Sequence, residues 1–194
     1  MRLRDIAVRF ALLGVALAYA GAQEKPPPRA PAKVPPEIVE RVRAELLDDA
    51  DLQDCLQEDG EEPVKVEELL SADALDLGGG HQGLLVRGSG ECLCSPQGNC
   101  DVWLFETGAG APALLLRASA VQKVKPQESV SNGYRDLITS MRISGSASDL
   151  FVYQFDGKEY RLKQCMRRTW TDAQGRRLNQ PRVTPSSCEP QQKP

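Results

Sequence analysis

Hydrophobic residues recur at steps of three and four near residue 40, with charged residues between them. This spacing predicts an amphipathic helix that enters through Pro36 and buries one face. Leu52, Cys55 and Leu56 continue the apolar pattern and predict a further turn or short helix that stops at Gly60. The buried face of the first helix consists of Ile38, Val39, Val42, Leu46 and Leu47.

After Gly60, short apolar runs alternate with turn residues, a pattern typical of antiparallel strands. Asn132-Gly133 and Asp156-Gly157 predict tight hairpin turns, because such turns need positive φ. In the first half, strands are predicted over residues 74–77, 84–87, 101–106 and 113–118. In the second half, they are predicted over residues 121–125, 135–143, 150–155 and 159–165.

These two halves share a sequence pattern when the chain is shifted by 50 residues. The aligned pairs are Val102 with Val152, Trp103 with Tyr153, Phe105 with Phe155, and Glu106 with Asp156. The pattern predicts an internal repeat of four-stranded, blade-like units over about residues 74–118 and 121–165. Two such units cannot close a ring, so we expect them to pack face to face, or side by side with the helix over an exposed face or edge. The predicted fold class is α+β and mainly β.

The N-terminus has the order of a signal peptide, with basic residues, an apolar run over residues 10–20 and then small residues. The 11 residues of this run are too few to cross a membrane as a helix, which takes about 20. We therefore expect cleavage before Gln23, delivery to the periplasm or the medium, and no membrane anchor afterwards. The predicted organisation is a signal peptide over residues 1–22, a proline-rich linker over 23–36, one domain over 37–188 and a disordered tail over 189–194.

An even number of cysteines in an exported chain indicates disulfides rather than a metal site. Cys92 and Cys94 are too close to bridge each other easily, so we expect one to pair with Cys100 and the other at long range with Cys55. The last two cysteines would then close the C-terminal segment. The six disulfide candidates are Cys55, Cys92, Cys94, Cys100, Cys165 and Cys188. No metal or cofactor is expected.

Charge is distributed unevenly along the chain. Residues 37–76 carry 15 Asp and Glu against three Lys and Arg, whereas residues 157–183 carry eight basic residues against two acidic ones. The two regions could lie together and neutralise each other, or be solvated separately. Alternatively, the basic region binds an anionic partner such as a wall polymer, a lipid headgroup or an acidic protein. The candidate ligand-binding residues are Arg167, Arg168, Trp170, Arg176 and Arg177. The formal charge of −3 argues against general nucleic-acid binding.

His81 is the one histidine of the chain and the side chain best suited to general-base catalysis near neutral pH. It lies among glycines, and the sequence contains no Gly-x-Ser-x-Gly motif. We therefore interpret His81 as an exposed loop residue, and no catalytic residue is predicted.

Three segments carry a family resemblance: residues 98–105, residues 132–137, and residues 153–165. Their motifs, Gly-Asn-Cys before Val-Trp-Leu-Phe, Asn-Gly-Tyr-Arg-Asp-Leu, and Tyr-Gln-Phe-Asp-Gly-Lys-Glu-Tyr before Cys165, resemble those of small, mostly uncharacterised exported bacterial proteins. This resemblance implies an exported β-rich domain and supplies no catalytic residue.

Residues 132–137 also resemble the calcium-binding turn of FG-GAP-type propeller repeats. In that alignment Glu128, Asn132 and Asp136 take ligand positions, but Val130 stands where the ion needs an oxygen. We expect a turn without a metal ion.

The function predicted from the sequence is a non-enzymatic, monomeric binding module of the bacterial cell envelope, with an unknown protein or an anionic envelope component as its partner. One alternative is an inhibitor of an envelope hydrolase that presents the cysteine-bound loop over residues 88–99. A small hydrolase that uses His81 is the remaining alternative.

Overall fold

The computed structural model describes residues 33–57, 65–108 and 110–188, apart from the side chains of Asp51 and Gln57. The predicted signal peptide, most of the predicted linker, the stop at Gly60 and the predicted tail lie outside these residues. Two α-helices, α1 (Pro36–Leu47) and α2 (Ala50–Gln57), and a short 3-10 helix (Val66–Leu69) precede nine strands. The strands are β1 (Leu70–Gly78), β2 (His81–Gly88), β3 (Cys100–Thr107), β4 (Ala113–Val121), β5 (Lys123–Ser131), β6 (Tyr134–Arg142), β7 (Ala147–Phe155), β8 (Tyr160–Thr171) and β9 (Arg177–Pro185).

The strands form two antiparallel sheets in which neighbours in sequence are neighbours in space. Sheet A has the order β1-β2-β3-β4, and sheet B has the order β5-β6-β7-β8-β9. The chain passes from one sheet to the other through Gln122, whose backbone N–H donates to the Ser140 carbonyl at 2.7 Å. The prediction of a mainly β protein with two antiparallel units and a few helices is confirmed.

Two hydrophobic cores separate three layers. Alternate residues of β3 point to opposite faces of sheet A, as in any strand. Val102 and Leu104 join the first core, which lies between sheets A and B. Trp103 and Phe105 join the second core, which lies between sheet A and α1. Sheet A is therefore the middle layer, with the helices on one face and sheet B on the other.

The first helix forms where the three- and four-residue spacing predicts it. Pro36 occupies its first turn, where a missing N–H costs nothing, and the Pro35 carbonyl accepts hydrogen bonds from the next turn. Ile38 and Val42 are fully buried against sheet A. The prediction that Leu47 belongs to the buried face is wrong: it is 52% exposed, because nine residues after Ile38 it lies on the opposite side of the helix. Val34 is also buried in this core, so packing begins within the segment predicted as linker.

The predicted strands exist, and most are longer than predicted. In the β5–β6 turn, Asn132 and Gly133 have φ of 49° and 87°, the left-handed values that a two-residue hairpin needs. The prediction of four strands in the second half is wrong, because β9 adds a fifth. This strand contains Pro181 and few apolar residues, a composition typical of loops, and it is tolerated because β9 is an edge strand.

Three disulfides join the cysteines as predicted. Cys55 of α2 bonds Cys92, and Cys94 bonds Cys100, so both bonds hold the loop between β2 and β3. The third disulfide ties the segment after β9 to β8 through Cys165 and Cys188. Disulfides of this number are typical of proteins from an oxidising compartment.

Candidate functional site

One face of sheet B belongs to neither core. Phe151 and Tyr153 point into the core against sheet A, and the residues that alternate with them point the opposite way. Register places four apolar side chains side by side on that outer face: Ile138, Leu150, Val152 and Met166. Most of them are half-buried. We call the outer surface of sheet B its open face.

Cations surround this apolar row. Lys123 and Lys125 lie on β5, opposite Ser140 and Ile138, and both side chains are exposed. Arg168 lies on β8, two residues from Met166, and its Nη2 donates to the Ser148 hydroxyl at a long 3.4 Å. Arg142, on β6 opposite Ser148, completes the set. The cations that border the apolar row are Lys123, Lys125, Arg142 and Arg168.

Arg168 is the least satisfied of these side chains. Among the described residues it has no carboxylate partner, and its Nε atom is buried without a hydrogen-bond acceptor. A buried donor without an acceptor costs about 1–3 kcal/mol.

Asp136 is an acidic residue of the open face, and its charge is enclosed by neutral donors. Its carboxylate is buried and accepts hydrogen bonds from the Ser129 and Ser131 hydroxyls, both at 2.7 Å, and from the Gln154 amide. Burial raises the pKa of Asp136, but these hydrogen bonds outweigh burial and hold the pKa below its ordinary value. Asp136 therefore stays charged at neutral pH.

A calcium ion bound as in the FG-GAP-type turn would need the Asp136 carboxylate as a ligand. Both oxygens of this carboxylate already accept hydrogen bonds from serine hydroxyls. The Asn132 amide donates to the Phe155 carbonyl and ties the β5–β6 turn to the end of β7. Among the described residues, no group of three or more His, Cys, Asp or Glu side chains is arranged to hold a metal ion.

A pocket of about 340 Å³ opens at one end of sheet B. It lies between the β6–β7 turn and the β8–β9 hairpin, and the Trp170 backbone N–H donates to the Ser146 carbonyl at 2.8 Å across this join. The Arg177 side chain makes no hydrogen bond or ion pair with any residue that the structure describes. The lining residues are Gly145, Ser146, Trp170, Thr171 and Arg177. We call this cavity the Trp170 pocket.

The structure brings together three of the five predicted ligand-binding residues. Trp170 and Arg177 line the same pocket, and Arg168 lies two residues before Trp170 on β8. The other two are neutralised. Arg167 binds the buried Asp149 carboxylate through two hydrogen bonds of 2.7 and 2.9 Å.

Arg176, the fifth predicted residue, closes the β8–β9 hairpin rather than facing a ligand. Its Nε donates to the Asp172 carboxylate at 2.7 Å, and its backbone N–H donates to the same carboxylate. The backbone hydrogen bond from Arg176 is the main reason that the pKa of Asp172 lies below its ordinary value.

Within the described residues, the acidic and basic regions are not joined by ion pairs. Among the described residues, no ion pair joins an acidic residue of 37–76 to a basic residue of 157–183. The described residues up to Val121 hold 14 Asp and Glu against six Lys and Arg, and those after it hold six against 12. The helices with sheet A thus form an acidic half, and sheet B forms a basic half.

His81 is not a loop residue, contrary to the sequence-based interpretation. It begins β2, its Nδ1 lies 2.8 Å from Glu106 Oε1, and its ring stacks on Tyr134 at 3.9 Å. The Tyr134 hydroxyl donates to the same Glu106 oxygen at 2.7 Å. This cluster connects sheets A and B at the end opposite the β6–β7 turn.

Hydrogen bonds within the cluster shift the pKa values of both partners of His81. The Tyr134 hydroxyl is the largest cause that lowers the pKa of Glu106, and His81 adds to it. Burial, with a further effect of Glu106, raises the pKa of Tyr134 to about 12. A carboxylate beside a histidine is half of a hydrolytic triad, but the hydrogen bonds of the His81 side chain with described residues include no serine.

The loop over residues 88–99 is anchored at both ends. Leu93 is buried in the second core, and Asn99 exchanges two hydrogen bonds of 2.8 and 2.7 Å with the Arg142 backbone. An exposed tip remains at Pro96, Gln97 and Gly98.

No family model, no curated protein and no solved structure matches this chain. Within the described ranges, no helix is both long and apolar enough to cross a membrane.

Proposed function

We propose that this chain is an exported, non-enzymatic module of the bacterial cell envelope, and that it binds an anionic ligand on the basic half. The observation that carries the proposal is the arrangement of Arg168 and Arg177 around Trp170. Neither arginine has a carboxylate partner among the described residues. Both lie where a ligand can reach them, on the open face and in the Trp170 pocket.

The chemistry of these side chains favours an anion with an apolar or planar part. A guanidinium presents several donors to carboxylate, sulfate or phosphate oxygens and forms charge-assisted hydrogen bonds with them. Trp170 offers a large amphipathic ring beside these donors.

We also propose that the two sheets are copies of one unit, as the predicted internal repeat implies. The directions of the aligned side chains support this. Trp103 points from sheet A toward the helices, and Tyr153 points from sheet B toward sheet A. Val102 and Val152, which also align, both point the other way. Aligned residues therefore face the same direction through the layers, as expected if one unit were copied and stacked on the other.

Dextran sulfate, a polyanion without apolar groups, tests the proposal directly. We expect the exported chain to bind it and the affinity to fall steeply as salt is added, because the attraction is electrostatic. Arg168→Gln combined with Arg177→Gln should lower the affinity roughly tenfold or more, measured by titration calorimetry.

The matched control is Lys33→Gln combined with Arg41→Gln, which removes two exposed cations from the acidic half. This pair should leave the affinity nearly unchanged. Equal losses from both pairs would mean that net charge, and not the open face, controls binding, and would refute the proposal.

A further inference from the structure

Exposed hydrophobic side chains collect on the basic half. Of the four large hydrophobic residues that are most exposed among those described, only Leu47 lies in the acidic half. Ile143 and Val183 are 43% and 47% exposed and lie toward the end of sheet B that holds the Trp170 pocket. They project from opposite faces of the sheet, so a surface that meets this end of the sheet can contact both. Val183 pairs with Arg168 across β8 and β9, and Ile143 begins the turn that contributes Gly145 to the pocket.

A soluble polyanion would account for the cations but not for these apolar groups. A hydrophilic polymer gains nothing from exposed Ile and Val, whereas a lipid surface takes both kinds of side chain. Cations contact the headgroups, while apolar and aromatic side chains enter the boundary between headgroups and acyl chains. Tryptophan is favoured at that boundary because its ring is apolar at one end and carries an N–H.

Charge separation would also orient the molecule on such a surface. The basic half is attracted to anionic headgroups and the acidic half is repelled, so the electrostatic field presents sheet B first. The Asp136 carboxylate opposes this approach, but among the described residues after Val121 the 12 Lys and Arg outnumber the six Asp and Glu.

We propose that this end of sheet B docks on an anionic lipid surface, with Ile143, Trp170 and Val183 entering the interface and Arg168 and Arg177 binding headgroup phosphates. This inference rests on the proposed function, since it uses the same cations, and it names the source of the anion.

Vesicles provide the test. We expect the exported chain to bind vesicles of phosphatidylglycerol mixed with phosphatidylcholine, and not vesicles of phosphatidylcholine alone. Trp170 should report binding by a blue shift of fluorescence and by quenching from brominated acyl chains. The other tryptophan, Trp103, is fully buried and should contribute no change.

Two pairs of variants separate the lipid surface from a polyanion. Ile143→Thr with Val183→Thr keeps β-branched side chains at both positions and should lower vesicle affinity roughly tenfold, with dextran sulfate affinity unchanged. Arg168→Gln with Arg177→Gln should lower both affinities, and vesicle affinity roughly 25-fold, at about fivefold per cation. Leu47→Thr, in the acidic half, is the control and should change neither.

Distinct results overturn the two proposals. If the Ile143 and Val183 pair leaves vesicle affinity unchanged, or brominated lipids fail to quench Trp170, the lipid surface is refuted. The proposed function then stands so long as dextran sulfate binding still depends on Arg168 and Arg177. If that dependence is also missing, the proposed function fails as well.

Discussion

Sheets A and B have similar strand order but different surroundings. Sheet A is covered on both faces, and residues of both faces of β3 are fully buried, such as Trp103 toward the helices and Leu104 toward sheet B. The described residues cover sheet B on one face, and its outer face carries a half-buried apolar row edged by Lys and Arg. Sheet A thus forms the middle of the structure, and sheet B carries the proposed binding surface.

Electrostatics follow the same division. The helices and sheet A are acidic, sheet B is basic, and most ion pairs stay within one half. One exception is Arg135, which reaches Asp76 at 3.5 Å. Since long-range charge affects association more than fold, this separation concerns partners rather than stability.

Matched truncations on the two sheets should give the largest difference. Phe105→Ala removes a fully buried ring beneath α1 and should lower the free energy of unfolding by about 3–5 kcal/mol. Met166→Ala, on the open face, should cost about 1 kcal/mol. Urea unfolding with the disulfides intact measures both values. Comparable losses would show that the outer face of sheet B is a third core, and the distinction between the sheets would fail.

A smaller effect is expected where the sheets meet at Tyr134. The folded protein raises the pKa of this hydroxyl from its ordinary 10 to about 12, mainly by burial and secondly through Glu106. The neutral form is therefore favoured by folding. The contribution of neutral Tyr134 to the free energy of unfolding is complete below about pH 10 and is lost as the pH rises through about 12.

Tyr134→Phe should reduce this alkaline loss of stability, which urea midpoints at pH 9 and pH 11 would reveal. In Glu106→Gln, which keeps Tyr134, the alkaline loss of stability should occur at lower pH. The negative charge that opposes ionisation of Tyr134 is then missing. An unchanged alkaline profile in Tyr134→Phe would mean that other tyrosines account for the loss.

Local patterns predicted much of the fold. The spacing of Ile38 and Val42 predicted α1, and Asn132-Gly133 predicted the β5–β6 turn, because both signals act over a few residues. The disulfides followed from compartment and spacing. The edge strand β9 was missed, because its prolines and polar residues carry no strand pattern and its pairing with β8 is imposed by the sheet.

The candidate site was predicted less completely, because it depends on register. Arg167 and Arg168 are neighbours in sequence but point to opposite faces of β8, so one binds Asp149 and the other joins the open face. Lys123 and Lys125 were missed because they lie far from the basic segment along the chain. His81 was misread for the same reason, since its partner Glu106 is 25 residues away.

Hydrogen–deuterium exchange of the chain, with and without dextran sulfate, tests the central claim that sheet B is the binding side. We predict protection of the amides of β8 and of the β6–β7 turn around Trp170 and Ser146 on adding the polyanion, with no change in α1. Protection confined to α1, or to the loop over residues 88–99, would contradict the account.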